Sequence, residues 1–96
     1  MIRHIVFFNA KDPKDLDAIH DGLCLLKGIP DCEHFEIGRN THIDTISADA
    51  PDFVVYGEFR DEAQLKAYKA HQLYQASIDA VRPLRDTRIA ADFLAT

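Results

Sequence analysis

The segments that predict β-strands in this sequence are apolar at consecutive positions rather than at every second position. Residues 5–8 read Ile-Val-Phe-Phe, residues 53–56 read Phe-Val-Val-Tyr, and residues 89–94 carry apolar side chains on both sides of the strand. A sheet with helices on one face and water on the other would alternate polar with apolar side chains. Two helices cannot cover both faces, so the sequence predicts that a second copy of the chain does so, in a two-fold dimer. The alternative is a monomer with a large exposed apolar patch, which soluble proteins usually avoid.

The order of the predicted elements is that of a ferredoxin-like fold. Strands are expected over residues 2–8, 32–39, 53–59 and 87–94, where β-branched and aromatic residues are frequent. After Asp12-Pro13, apolar residues recur at helical spacing as far as Gly28, which predicts a first helix. A second helical stretch is predicted from Asp61 to Pro83, either continuous or with a break. The order β-α-β-β-α-β predicts an α+β fold in which an antiparallel sheet carries both helices on one face. Residues 1–96 are expected to form one domain.

Composition excludes several classes of function. The chain has 11 basic and 16 acidic residues and a net charge of −5, which argues against a nucleic-acid partner. No segment reaches the roughly 18 consecutive apolar residues of a membrane span, and the first apolar run is too short for a signal peptide. Cys24 and Cys32 have no metal-binding spacing and are expected to be free thiols in a reducing cytoplasm.

The five histidines form no metal-binding pattern, because no HxxxH pair and no Cys/His cluster occurs. His34 and His42 flank a polar loop and are expected to be exposed, while His20 is expected at the edge of the core face of the first helix. No GxSxG, P-loop or GxGxxG motif occurs either. We therefore expect no metal and no cofactor.

Short motifs distributed along the whole chain resemble those of one family. They are Arg3-His4-Ile5-Val6-Phe7-Phe8, Leu26 followed by Ile29-Pro30, Gly38-x-Asn40, Tyr68-x-x-His71-x-x-Tyr74, and Asp92-Phe93. Each motif is weak alone, but in this order they resemble the stress-responsive dimeric A/B barrel (Dabb) family. The resemblance implies ferredoxin-like monomers that pair into a dimeric α+β barrel, in agreement with the argument from the strands.

The resemblance also implies a pocket between the sheet and the helices. Plant polyketide cyclases of this type close a ring there by intramolecular aldol condensation without a cofactor. By this resemblance, the first-strand histidine corresponds to His4 and the helical tyrosine to Tyr68. The general-base histidine corresponds to Tyr74, and a phenol with a pKa near its usual value of about 10 is a poor base at neutral pH. The expected apolar lining of the pocket is Val6, Phe8, Ile19 and Val55.

Four side chains are candidates for chemistry. His4 could move a proton or bind a ligand carbonyl, or it could be a structural histidine bonded to its neighbours. Tyr68, His71 and Tyr74 share one helical face if the helix is continuous, where they could form a proton relay or simply part of the core. If the site is catalytic, His4 or His71 would be the base, and Tyr68 or Tyr74 would donate a hydrogen bond to an enolate oxygen.

These observations leave two main hypotheses for function. In the first, a homodimeric, cofactor-free enzyme binds a small apolar or carbonyl-containing molecule and transfers its protons, as a cyclase or isomerase does. In the second, a non-catalytic dimer binds a small molecule or contributes to stress tolerance. A monooxygenase of the dimeric α+β barrel group is a third and weaker alternative.

Overall fold

Four strands form one antiparallel sheet in the computed structural model, which describes residues 1–96. The strands are β1 (Ile2–Ala10), β2 (His34–Arg39), β3 (Phe53–Phe59) and β4 (Arg85–Leu94). Their order across the sheet is β2-β3-β1-β4, and every neighbouring pair is antiparallel. The ferredoxin-like fold predicted from the sequence is therefore confirmed.

The connections between β1 and β2 and between β3 and β4 are helical. The first contains α1 (Leu16–Cys24), which lies between a 3₁₀ turn at Pro13–Asp15 and a second 3₁₀ turn at Leu25–Gly28. The second contains α2 (Glu62–Ala70) and α3 (Gln72–Val81). None of these helices is long and apolar enough to cross a lipid bilayer.

Side-chain caps begin the helical segments where the sequence predicts them. The Asp12 carboxylate accepts a hydrogen bond from the Lys14 backbone N–H at 3.0 Å, although the turn that follows is 3₁₀ rather than α-helical. The Asp61 carboxylate accepts one from the Gln64 backbone N–H at 2.9 Å and caps α2. Satisfying these otherwise unpaired N–H groups fixes where each segment begins.

The second helical stretch is broken at His71, so the continuous helix that would place Tyr68, His71 and Tyr74 on one face does not form. His71 has extended backbone angles (φ −68°, ψ 143°), and its Nδ1 accepts a hydrogen bond from the Leu73 backbone N–H at 3.0 Å. The imidazole acts as the N-cap of α3, a role that Ser, Thr, Asn or Asp usually fills. The break changes the direction of the chain between Tyr68 and Tyr74.

The core lies between the helices and the face of the sheet that they cover. Alternate residues of β1 and β3 point into it, together with apolar residues of the helices. The helices α1 and α3 pack closely at Gly22, where a Cβ atom would lie only 2.8 Å from Cγ2 of Val81. The buried Ser77 hydroxyl donates to the Gly22 carbonyl at 2.9 Å and joins the two helices.

The opposite face of the sheet, which we call the outer face, is apolar along its centre. Phe7 lies between its register partners Val54 of β3 and Ile89 of β4 on this face. Ile89 and Phe93 are 63% and 48% exposed in the isolated chain. The predicted absence of polar alternation is therefore confirmed for this surface, which no helix covers.

Candidate functional site

A cavity of about 300 Å³ lies between the sheet and the helices. Its volume is at the lower end of the range for small-molecule sites, and nine of its 14 lining residues are hydrophobic. β1, β3 and β4 line it on the sheet side, and α1, α2 and α3 contribute residues on the helix side. Six of the predicted site residues line this cavity: His4, Val6, Phe8, Val55, Tyr68 and Tyr74.

Two predicted site residues do not line the cavity. Ile19 lies on α1 and is completely buried in the core, and the residues that reach the cavity from this region are Leu23 and Leu26. His71 lies at the break between α2 and α3, where its side chain caps α3. The structure therefore places His4, and not His71, beside the tyrosines of the cavity.

The central polar residue of the cavity is His4, which is paired with Asp92, a neighbouring residue that does not itself line the cavity. His4 is only 1% exposed, and its Nδ1 lies 2.5 Å from Oδ1 of Asp92. The antiparallel pairing of β1 with β4 places the two residues directly opposite each other. A carboxylate at this position fixes the orientation of the imidazole and its tautomer, since Nδ1–H is the donor to Asp92.

The pKa of His4 is lowered from its ordinary value of 6.5, mainly because burial disfavours the charged ring. The hydrogen bond and the charge of Asp92 act in the opposite direction but do not outweigh burial. The imidazole is therefore neutral at pH 7, with its proton on Nδ1. No hydrogen bond within the chain engages Nε2, so this nitrogen is available to accept a proton from a ligand.

The lowered pKa of His4 predicts that acid destabilises the protein. Because the unfolded chain binds a proton at this residue more readily than the folded chain, the free energy of unfolding should fall as pH decreases below about 6.5. Urea unfolding at a series of pH values between 8 and 5 would measure this. A His4→Gln variant should lose less stability over the same range, and equal losses in the two proteins would contradict the assignment.

Tyr68 supplies a hydroxyl beside His4. The side chain is buried, and burial raises the pKa of its phenol well above the usual range, so the group stays protonated. The Tyr68 ring lies edge-on to His4, with ring centroids 6.3 Å apart, and contacts Tyr74 with centroids 5.2 Å apart. No hydrogen bond within the chain engages the Tyr68 hydroxyl, which leaves it free to donate to a ligand.

Asp92 and three arginines are site residues that reasoning from the sequence missed. Arg82, Arg85 and Arg88 line the cavity, and Arg82 and Arg88 are exposed, which places them at its mouth. Asp92 could have been found by aligning β1 and β4 in antiparallel register, since pairing Ile2 with Leu94 brings His4 opposite Asp92. The three-residue spacing of the arginines was the only signal for them.

The remaining histidines lie outside the cavity. His34 and His42 are exposed, as predicted, and contact Glu36 and Asp52 at 3.1 and 3.6 Å. His20 is partly buried on α1, with its ring nitrogens 3.8 Å from the Cys24 sulfur. No group of three or more His, Cys, Asp or Glu side chains is arranged to hold a metal ion.

Comparison with known proteins gives the same fold. The sequence matches the family model of the stress-responsive A/B barrel domain (Dabb) over residues 2–95. A dimeric ferredoxin-like protein of unknown function from Thermobifida fusca is 26% identical, with a TM-score of 0.81 over 98% of this chain and 90% of that one. A Dabb family protein with a ferredoxin-like fold from Mesorhizobium loti is also 26% identical, with a TM-score of 0.77 over 99% of this chain and 96% of that one.

A more distant similarity shows the fold alone. A putative antibiotic biosynthesis monooxygenase from Nitrosomonas europaea is 19% identical, with a TM-score of 0.76 over 99% of this chain and 98% of that one. No curated protein matches the sequence.

Proposed function

Because the chain belongs to the stress-responsive A/B barrel (Dabb) family, we propose that it is a homodimer that binds a small carbonyl-containing molecule in this cavity and catalyses proton transfer within it. The observation that carries the proposal is the buried imidazole of His4, which Asp92 orients and whose Nε2 is unpaired. A purely structural histidine in this position would be expected to use both ring nitrogens.

The cavity fits a ligand with an apolar body. Val6, Phe8 and Val55 line it from the sheet, and Ile78 and Val81 line it from α3. At about 30 Å³ for each water-sized group, 300 Å³ holds about ten non-hydrogen atoms. A compound of this size with a short alkyl chain and one or two carbonyl groups suits both the volume and the lining.

The proposed chemical step is the removal of a proton from the carbon next to a carbonyl. His4 Nε2 takes the proton, the electron pair of the C–H bond becomes the C=C π bond of the enolate, and the π pair of the carbonyl moves onto its oxygen, to which the Tyr68 hydroxyl donates a hydrogen bond. Asp92 stabilises the imidazolium that forms. The imidazolium then returns the proton to another atom of the same molecule, or to the oxygen formed when the enolate carbon attacks a second carbonyl. Neither outcome requires an oxidant or a reductant.

Tyr74 is the observation that favours a second candidate function, a non-catalytic small-molecule-binding protein. By the family resemblance, the general-base histidine of polyketide cyclases corresponds to Tyr74 of this chain, and a phenol is in general a much weaker base than an imidazole at neutral pH. In that case His4 and Tyr68 would only bind the carbonyl group of the ligand. The two candidates differ in whether bound ligand exchanges its proton.

Deuterium incorporation into 2,4-octanedione, a ten-heavy-atom diketone, distinguishes these candidates. In D₂O at low buffer concentration, we expect the protein to accelerate the exchange of the C3 protons of the diketone for deuterium. The loss of the C3 proton signal in NMR spectra would measure this rate. His4→Gln should reduce the protein-dependent rate by about 10²-fold or more, because it removes the base. Asp92→Asn should also reduce the rate, because it disturbs the tautomer of His4.

His34→Gln provides the matched control, since this histidine is exposed and lies outside the cavity. This variant should catalyse deuterium exchange into the diketone at the wild-type rate. If the wild-type protein binds the diketone saturably but leaves exchange at the buffer rate, the catalytic proposal is wrong and the non-catalytic function is favoured.

The dimer is proposed from the outer face and from the relatives. Structures with the same fold include a dimeric protein from Thermobifida fusca. The apolar row formed by Phe7, Val54 and Ile89 on the outer face would be covered if two sheets packed against each other. The cavity lies on the other side of the sheet, so dimerisation through this face would leave the cavity accessible.

A reducing cytoplasm is the location that we propose. Cys24 and Cys32 form no disulfide with each other. Burial raises the pKa of the Cys32 thiol, with the neighbouring Asp31 and Glu33 acting in the same direction, which favours the protonated form of the thiol.

A further inference from the structure

Three arginines meet at the mouth of the cavity although the chain as a whole is acidic. Arg82 follows α3, Arg85 begins β4, and Arg88 lies three residues further along the same strand. The chain has a net charge of −5, so carboxylates to pair with these arginines are abundant. A cluster of three cations at one opening is unfavourable unless something compensates their mutual repulsion.

No carboxylate of the chain compensates these charges. The ion pairs of the structure that involve arginine use Arg39 and Arg60, and neither belongs to this cluster. The only side-chain hydrogen bond of the cluster is from the Arg85 guanidinium to the Asp86 backbone carbonyl, at 3.3 Å. The guanidinium groups therefore keep most of their donors free.

An irregularity in the sheet brings two of these arginines to the same face. Arg88 pairs with Phe8 and Arg85 pairs with Ala10, so β4 uses three residues where β1 uses two. In a regular strand, residues three apart would point to opposite faces. The shift in register, of the kind that a β-bulge produces, turns both Arg85 and Arg88 towards the cavity.

One member of the cluster, Arg88, also affects the pKa values of the proposed catalytic groups His4 and Tyr68. The positive charge of Arg88 contributes to lowering the pKa of His4, and it partly offsets the rise in the pKa of Tyr68 caused by burial. Arg88, His4 and Tyr68 also line the same cavity, so a ligand that contacts the Arg88 guanidinium could reach His4 and Tyr68 as well.

We propose that the ligand of this cavity is an organic carboxylate, whose charged group is bound by Arg82, Arg85 and Arg88 at the mouth and whose apolar chain lies between the sheet and α3. Guanidinium groups bind carboxylates through paired, charge-assisted hydrogen bonds. This inference rests on the proposed function and specifies its ligand class. The carbonyl group that reacts would lie deeper than the carboxylate, beside His4.

Binding of octanoate and octanamide tests the inference. The two probes have nearly the same shape and about the same number of atoms as the cavity can hold, but only octanoate is charged at pH 7. Isothermal titration calorimetry should give a dissociation constant at least about tenfold lower for octanoate than for octanamide. The preference should decrease as salt concentration rises, because these arginines are partly solvated.

The variant for this test replaces all three arginines, as Arg82→Gln, Arg85→Gln and Arg88→Gln together. It should bind octanoate and octanamide with nearly equal affinity, because it has lost the positive charges that distinguish the two probes. Arg39→Gln is the matched control, because Arg39 is an exposed arginine outside the cavity and should leave the preference unchanged. Since none of the three replaced arginines makes an ion pair, we expect the triple variant to fold, which thermal unfolding would verify.

The possible outcomes separate this inference from the function on which it rests. If octanamide binds as tightly as octanoate, or if the triple variant keeps the preference, the carboxylate inference is wrong while ligand binding in the cavity stands. If the triple variant does not fold, Arg88→Gln alone should still lower the preference, and an unchanged preference would overturn the inference. If neither probe binds the wild-type protein, both the inference and the proposed binding function are wrong.

Discussion

Replacing Phe7 by Asp should convert the protein from a dimer into a monomer or prevent its folding. Phe7 lies at the centre of the outer face, between Val54 and Ile89. In the proposed dimer this position is covered by the second sheet, and the substitution would bury an unpaired carboxylate there. The cost of burying an unpaired charge is several kcal/mol, enough to lose most of the association free energy of an interface of ordinary size.

Light scattering coupled to size-exclusion chromatography would measure the mass of each variant. Ile46→Asp is the matched control, because Ile46 is 95% exposed in the loop between β2 and β3 and should tolerate the same change without effect on the mass. A Phe7→Asp protein that remains a folded dimer would show that the outer face is not the dimer interface. The two-sheet arrangement would then have to be abandoned.

Replacing Tyr68 by Ala should cause the largest loss of stability among single substitutions at the cavity. The ring is 1% exposed and packs edge-to-face against Phe59, with centroids 5.0 Å apart, and against Tyr74. Removing a buried aromatic ring costs about 3–5 kcal/mol, a large part of the 5–15 kcal/mol that stabilises a typical domain. Urea unfolding at a fixed protomer concentration would measure the change.

The Tyr68→Phe variant separates the ring from its hydroxyl. Because the hydroxyl makes no hydrogen bond within the chain, its removal should leave the free energy of unfolding almost unchanged. The same variant should slow deuterium exchange into 2,4-octanedione, since the enolate loses its hydrogen-bond donor. A Tyr68→Phe protein as unstable as Tyr68→Ala, or one that exchanges deuterium at the wild-type rate, would contradict the role assigned to this residue.

The fold could be predicted because its signals are local. Each of these signals depends on a few neighbouring residues. They are the apolar runs of β1 and β3, the caps at Asp12 and Asp61, and the residues that end the helices. The break at His71 was harder to predict, because histidine is an unusual N-cap and the apolar spacing continues on both sides of it. Its consequence is that His71, a candidate base in the sequence, lies outside the cavity.

The site could be predicted only in part, because it depends on pairing between distant strands. His4 and the tyrosines were identified from the family resemblance, whereas Asp92 is 88 residues away from His4 and meets it only through the register of β1 with β4. The arginines depend on an irregularity in that same register, which turns Arg85 towards the face that Arg88 occupies. Ile19 has the helical spacing of a core residue, and spacing alone does not distinguish a residue that fills the core from one that lines a cavity.

The most direct test of the central claim, that the cavity beside His4 is the ligand site, is a methyl NMR titration of valine-labelled protein with 2,4-octanedione. The chain has four valines: Val6, Val55 and Val81 line the cavity, and Val54 lies on the outer face. We predict that the methyl signals of the three cavity valines shift saturably while those of Val54 do not. Shifts confined to Val54, or no saturable shift at any valine, would contradict the claim.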